Sequence, residues 1–167
     1  MPHRWLMIVA ALLGLAGCAK QTDLPDITVS ATSPGEFIRF RADLGTRFTP
    51  EQLKDFDTAM QELQLDAMNR DVATAAAREE DMVHVAQGKT VRAVTLLGWQ
   101  ARKARFLREI AEITRMIEHD EQQAARTAAT GTPETVTRRL GSEKDVLAKL
   151  QPNLAETEHH LAELGRP

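Results

Sequence analysis

Tyrosine is absent from the 167 residues, and aromatic residues make up only 4% of them. A face that stacks sugars or flat ligands usually offers several exposed rings, so this composition argues against one. Cysteine occurs once, at Cys18, which excludes an internal disulfide. The body of the protein therefore depends on packing for its stability. The net charge is −3, too mild to mark a polyanionic or polycationic partner. The main apolar run covers residues 5–16, short of the roughly 20 residues needed to cross about 30 Å of hydrocarbon.

The groupings that carry catalysis are missing as well. No nucleophile, base and orienting group stand in a recognisable arrangement. After Cys18 the histidines are His84, His119, His159 and His160. On a helix the adjacent His159 and His160 point about 100° apart, and zinc needs three or four ligands. Gly88-Lys89-Thr90 has the tail of a phosphate loop, but the upstream glycine and the preceding strand are lacking. Gly88 reads instead as a helix stop and Thr90 as a helix cap. The sequence predicts no enzyme, no metal site and no cofactor.

What is present begins at the amino terminus. Arg4 supplies a positive charge, residues 5–16 are apolar, and Leu15-Ala16-Gly17-Cys18 follows. The length and flanks are those of a signal-peptide core. This start resembles the bacterial lipoprotein precursors, whose lipobox is a leucine-like residue, two small residues and a cysteine. The resemblance covers only about the first 18 residues. It implies cleavage after Gly17, a diacylglyceryl thioether on Cys18 and acylation of the new amino terminus. Several acyl chains anchor a protein stably where one does so only marginally. Ala19 follows the cysteine. In enterobacterial lipoproteins an aspartate there retains the protein at the inner membrane. The resemblance therefore implies the outer membrane, facing the periplasm, with the bilayer met through acylated Cys18.

The remaining residues, about 150, suit one modest domain, and a wealth of Ala, Leu, Glu, Gln and Arg favours helices. Residues 18–32 are polar, with Pro25, and read as a flexible tether. Ser33-Pro34-Gly35-Glu36 opens a short helix carrying Phe37, Phe40 and Leu44, which Gly45 is expected to stop. Phe48-Thr49-Pro50-Glu51-Gln52-Leu53 opens a longer one with a full capping box. Its stripe of Leu53, Phe56, Met60 and Leu63 then shifts to Leu65, Met68, Val72, Ala75, Met82 and Ala86, which predicts a kink or break between Gln64 and Asp71. Asn69 is the candidate cap for a restart.

From Thr90 to about Ala129 two apolar stripes share one helix: Val94, Leu97, Ala101, Ala104, Leu107 and Ala111, and Trp99, Phe106, Ile110, Ile113 and Ile117. Two stripes require two neighbours, so this is the expected central helix. Gly98 is positioned to let another helix approach closely. After the loop Thr130-Gly131-Thr132-Pro133, the last helix carries a heptad seam of Val136, Leu140, Leu147, Leu150, Leu154, Leu161 and Leu164. Glu143 and Thr157 fill its missing places. Pro152 lies within it and predicts a bend, with Ser142 as an alternative restart after Gly141.

Charge is segregated. Residues 51–81 are acidic and residues 89–115 basic. Two antiparallel helices with complementary flanks account for this, each exposed pair contributing under about 1 kcal/mol. The alternative is a basic surface at Arg102, Lys103, Arg105 and Arg108 that meets anionic lipid or an envelope polymer. Met60, Met68, Met82 and Met116 fit a core, or else a groove for a partner helix.

The expected fold is all-α: an antiparallel bundle of about three long helices over residues 33–167. A short helix precedes them, after a cleaved signal peptide at residues 1–17 and the tether. The expected function is that of a non-enzymatic envelope lipoprotein, a helical interaction or structural module with a protein partner and no nucleic acid. The alternative is a module holding lipid or another hydrophobic ligand between its helices.

Overall fold

In the computed structural model, residues 23–166 are described. A short 3-10 turn at Leu24–Asp26 precedes five helices: α1 Pro34–Arg47, α2 Pro50–Asn69, α3 Ala75–Ala86, α4 Val91–Thr127 and α5 Glu134–Leu164. The described residues are thus all-α. Extended pairing among them is limited to one antiparallel bridge, Thr28 with Thr90.

Local chemistry sets the helix starts. Ser33 Oγ accepts from the Glu36 N–H at 3.3 Å, Thr74 Oγ1 from Ala77 at 3.1 Å and Thr90 Oγ1 from Ala93 at 3.2 Å. Thr49 and Gln52 form the reciprocal capping box. Each such cap is worth about 1 kcal/mol. The stop expected at Gly45 is not used. The Phe48 N–H bonds the Leu44 carbonyl at 2.9 Å, so α1 continues through the glycine to Arg47.

The stripe shift after Leu63 is a break, and it changes the topology. Asp71 takes a left-handed conformation, φ 61°, and the Val72 N–H returns to the Ala67 carbonyl. Asn69 is the last residue of α2, and Thr74 caps the restart. Arg70 reaches Asp66 on its own helix and Asp81 on α3, which holds α3 folded back against α2. Leu65 and Met68, read as part of the shifted stripe, are 39% and 52% exposed.

Because α3 returns the chain, α2 and α4 run parallel. The contacts Ala59–Gly98, Glu62–Arg105 and Asp66–Arg108 rise together along both helices. The antiparallel pairing expected for these two segments is reversed, because the chain breaks and returns through α3. By contrast, α4 and α5 are antiparallel, as the pairs Lys103–Glu158 and Asp120–Arg139 require. The central place expected for α4 holds, since it packs against both α2 and α5.

The core gathers Leu44, Leu53, Phe56, Met60 and Leu63 with Met82, Val83, Ala86, Val91 and Val94. Val29 and Ala31 belong to it at 0% and 1% exposure. Residues 27–31 are therefore docked, not part of a flexible tether. Val29 exchanges backbone hydrogen bonds with Gly88 and Lys89, and the Val91 N–H bonds the Ile27 carbonyl at 2.8 Å. Gly88 turns there with φ 73°, a conformation in which a side chain costs about 1 kcal/mol or more.

The last helix is continuous through Gly141 and Pro152. Every position of its seam from Val136 to Leu164 is buried or half-buried, Glu143 and Thr157 included. Pro152 and Ala148 are both exposed, so the helical hydrogen bond that the proline removes is lost on the solvent side of the helix. Beyond the level of Arg108 the burial of α4 follows Ile113, Ile117, Asp120, Ala124 and Thr127. Their four-three spacing matches the seam of α5. Leu107 and Ala111, which continue the other stripe, are exposed.

Candidate functional site

The lipidation residue Cys18 and the lipobox residues Leu15, Ala16 and Gly17 lie outside the described residues. No helix of the described residues is long and apolar enough to cross a membrane. The sites that can be built from side chains are on α4 and α5.

Arg102, Lys103, Arg105 and Arg108 on α4 each meet a carboxylate, the three arginines one on α2 and Lys103 one on α5. Glu62 on α2 is 4% exposed. It accepts from Arg105 Nε at 3.0 Å and Nη2 at 2.7 Å, and from Arg102 Nη1 at 3.3 Å. Arg105 also donates to Glu109 at 3.0 Å. Lys103 pairs with Glu158 at 2.8 Å, and Arg108 lies 4.0 Å from Asp66. The hydrogen bonds to Glu62 push the Arg105 guanidinium above its ordinary range, against the opposing effect of burial. Two cations around one buried carboxylate tie α4 to α2. The complementary-flank reading is thus realised, through parallel helices. The guanidiniums of Arg102 and Arg105 also lie over the Phe106 ring, at 5.3 and 4.5 Å from its centroid.

Near the carboxyl end of α5, His160 packs against Trp99 with centroids 4.0 Å apart and the rings tilted by 45°. Its Nε2 is 3.1 Å from Asp55 Oδ2 on α2, and Nδ1 is 3.9 Å from Glu163. Arg102 lies over the other ring contact, 5.2 Å from the Trp99 centroid. This cluster joins the three longest helices. His159, which is more exposed, also approaches Glu163, at 3.8 Å. Among the described residues no three His, Cys, Asp or Glu side chains converge as metal ligands.

The most polar part of the α4–α5 seam lies toward the hairpin loop. Asp120 is 2% exposed and Glu143 5%. Arg139 donates to both oxygens of Asp120 and, at 3.2 Å, to Gln123 Oε1. His119 Nδ1 lies 3.1 Å from Asp120 Oδ1. Hydrogen bonds from Arg139, more than the contact with His119, hold the Asp120 carboxyl below the usual aspartate range although burial opposes them. Glu143 differs: neither carboxylate oxygen has a hydrogen-bond partner. An open groove of about 460 Å³ runs over this cluster, with Met116, Asp120, Arg139 and Glu143 in its wall.

The heptad spacing had placed Glu143 on the seam. Asp120 was missed, although three more residues along the stripe of Ile110, Ile113 and Ile117 reach it. Comparison with known proteins gives no match to a family model, to a curated protein or to a solved structure.

Proposed function

We propose that this chain is a bacterial envelope lipoprotein: a non-enzymatic helical interaction or structural module, held at the membrane by acylated Cys18. One observation carries the reading. A basic start, an apolar run and Leu15-Ala16-Gly17 stand in order before the only cysteine of the chain. Ala19 after that cysteine favours the outer membrane and the periplasmic side. The three longest helices, α2, α4 and α5, are the frame of the bundle, with α1 and α3 closing one end.

The hairpin of α4 and α5 suits an interaction role. It extends past the end of α2 as a two-stranded coil, and Leu107, Met116 and Val146 remain 47%, 41% and 38% exposed along it. A protein partner in the envelope is the occupant this reading requires. The alternative of a lipid held between the helices needs an enclosed apolar cavity, whereas the groove at Glu143 is open and bordered by charge.

The test is affinity capture from detergent-solubilised envelopes, with wild type beside Cys18→Ser. The reading expects the wild-type chain in the membrane fraction with a defined protein that in turn recovers it, and the variant released from the membrane. Recovery of the wild-type chain alone across several detergents counts against the interaction role.

A further inference from the structure

Glu143 is a carboxylate in the wall of the open groove, set into the helix seam and without a hydrogen bond. It is 5% exposed, and both oxygens are unpartnered. Burial without a hydrogen bond disfavours an ionised carboxylate, because nothing replaces the water it has lost. The nearest cation does not relieve it. Arg139 Nε stands 3.9 Å from Glu143 Oε1. That nitrogen and Nη2 are already committed to Asp120, and Nη2 also to Gln123. A planar guanidinium bound along that edge cannot turn it to a second carboxylate without releasing the first.

The wall beside Glu143 is in charge imbalance. Arg139 offsets Asp120. Of the remaining lining residues, Glu143 and Glu112 face the charge of Arg115, while His119 lies against Asp120. Arg115 Nε is directed to the Ala111 carbonyl of its own helix, at 3.3 Å. With His119 neutral, three carboxylates against two guanidiniums leave the groove one negative charge in excess. Met116 supplies an apolar, conformationally adaptable side chain, 41% exposed, on the same wall. Metal ions are poorly suited, because no three ligating side chains converge among the described residues.

We propose that this groove binds an organic cation, an ammonium or guanidinium carried on an apolar stem, with Glu143 as its counter-ion. The cation replaces the hydrogen bonds that Glu143 lacks, and the stem lies along Met116. A charge-assisted bond made away from water is about twice as strong as a neutral one. A lysine or arginine side chain has this chemistry, whether as a free amino acid derivative or displayed by a protein partner.

The experiment uses the full chain in detergent with labelled methionine methyls. It is titrated with Nα-acetyl-lysine amide, Nα-acetyl-arginine amide and the uncharged Nα-acetyl-norleucine amide. A second arm uses a helical peptide bearing one lysine among leucines, beside its norleucine counterpart. The proposal expects a saturable shift of the Met116 methyl with a cationic probe and none with its neutral match. Binding should weaken at least about tenfold in Glu143→Gln and in Glu143→Leu. Both replacements fit a heptad seam, and an unchanged circular dichroism spectrum establishes that each variant folds. A response to the amino acid amides supports a free amine ligand, and a response to the peptide alone supports a partner's side chain. No saturable shift with any cationic probe, or equal binding by both folded variants, overturns the proposal. Neither result bears on the acylation of Cys18.

Discussion

Gly98 on α4 lies directly against Ala59 on α2. A β-carbon at Gly98 would overlap the Cα, Cβ and carbonyl oxygen of Ala59. The two parallel helices meet there backbone to backbone. Gly98→Ala is expected to destabilise the protein by about 2–4 kcal/mol, because the obstacle is main chain and cannot rotate away. Gly141 is the control, since a β-carbon there meets nothing within 4 Å. Gly141→Ala should stabilise by about 0.5–1 kcal/mol through helix propensity. Urea denaturation of both variants measures the contrast.

Glu62 and Glu158 are the acidic partners of neighbouring cations on α4, at 5% and 48% side-chain exposure. The buried one gathers two arginines. Glu62→Ala leaves Arg102 and Arg105 partly buried without their counter-ion, and a loss of about 2–3 kcal/mol is expected. Removing the exposed partner, Glu158→Ala, should cost under about 0.5 kcal/mol. Chemical denaturation with a double-mutant cycle through Arg105→Ala will separate the pair from the burial.

Asp120 makes stability depend on acidity. Its folded-state pKa is lowered, chiefly by Arg139, so the ionised form favours folding. That contribution is fully present above the ordinary aspartate value of about 3.9 and is lost as pH falls through the lowered folded value. Asp120→Asn should therefore be less stable than wild type at pH 7. The difference should hold to about pH 5 and shrink steadily below about pH 4. Thermal unfolding from pH 7 to 2 tests this, and a difference that grows on acidification would contradict it.

Val29 is fully buried against the turn between α3 and α4. Val29→Ala should cost about 2 kcal/mol, whereas a residue of a loose tether would cost nothing measurable. Amide exchange gives a second readout. The N–H groups of Val29 and Gly88, which bond Lys89 and Val29 carbonyls, should be protected in wild type and exchange faster in the variant.

Features written in short range were legible in the sequence. Ser33, Thr49 and Thr90 announce helix starts because a cap and its N–H lie three residues apart. The seam of α5 was legible down to its polar members, since a heptad repeats over many turns. Gly98 was legible from its place among bulky residues. The parallel course of α2 and α4 was not, because it depends on Asp71 and on Arg70 reaching across to Asp81. Glu62 looked like one more solvated acid in an acidic run until the fold set it between Arg102 and Arg105. Ile27-Thr28-Val29 leans toward extended structure in the sequence, but no second strand is evident to pair with it; its partner is the turn at Gly88 and Lys89.

The central claim concerns Cys18, and mass spectrometry of the mature amino terminus tests it most directly. The account predicts a chain that begins at Cys18 and carries a diacylglyceryl thioether with an acylated α-amino group. An unmodified thiol at that cysteine, or a chain still bearing residues 1–17, would contradict it.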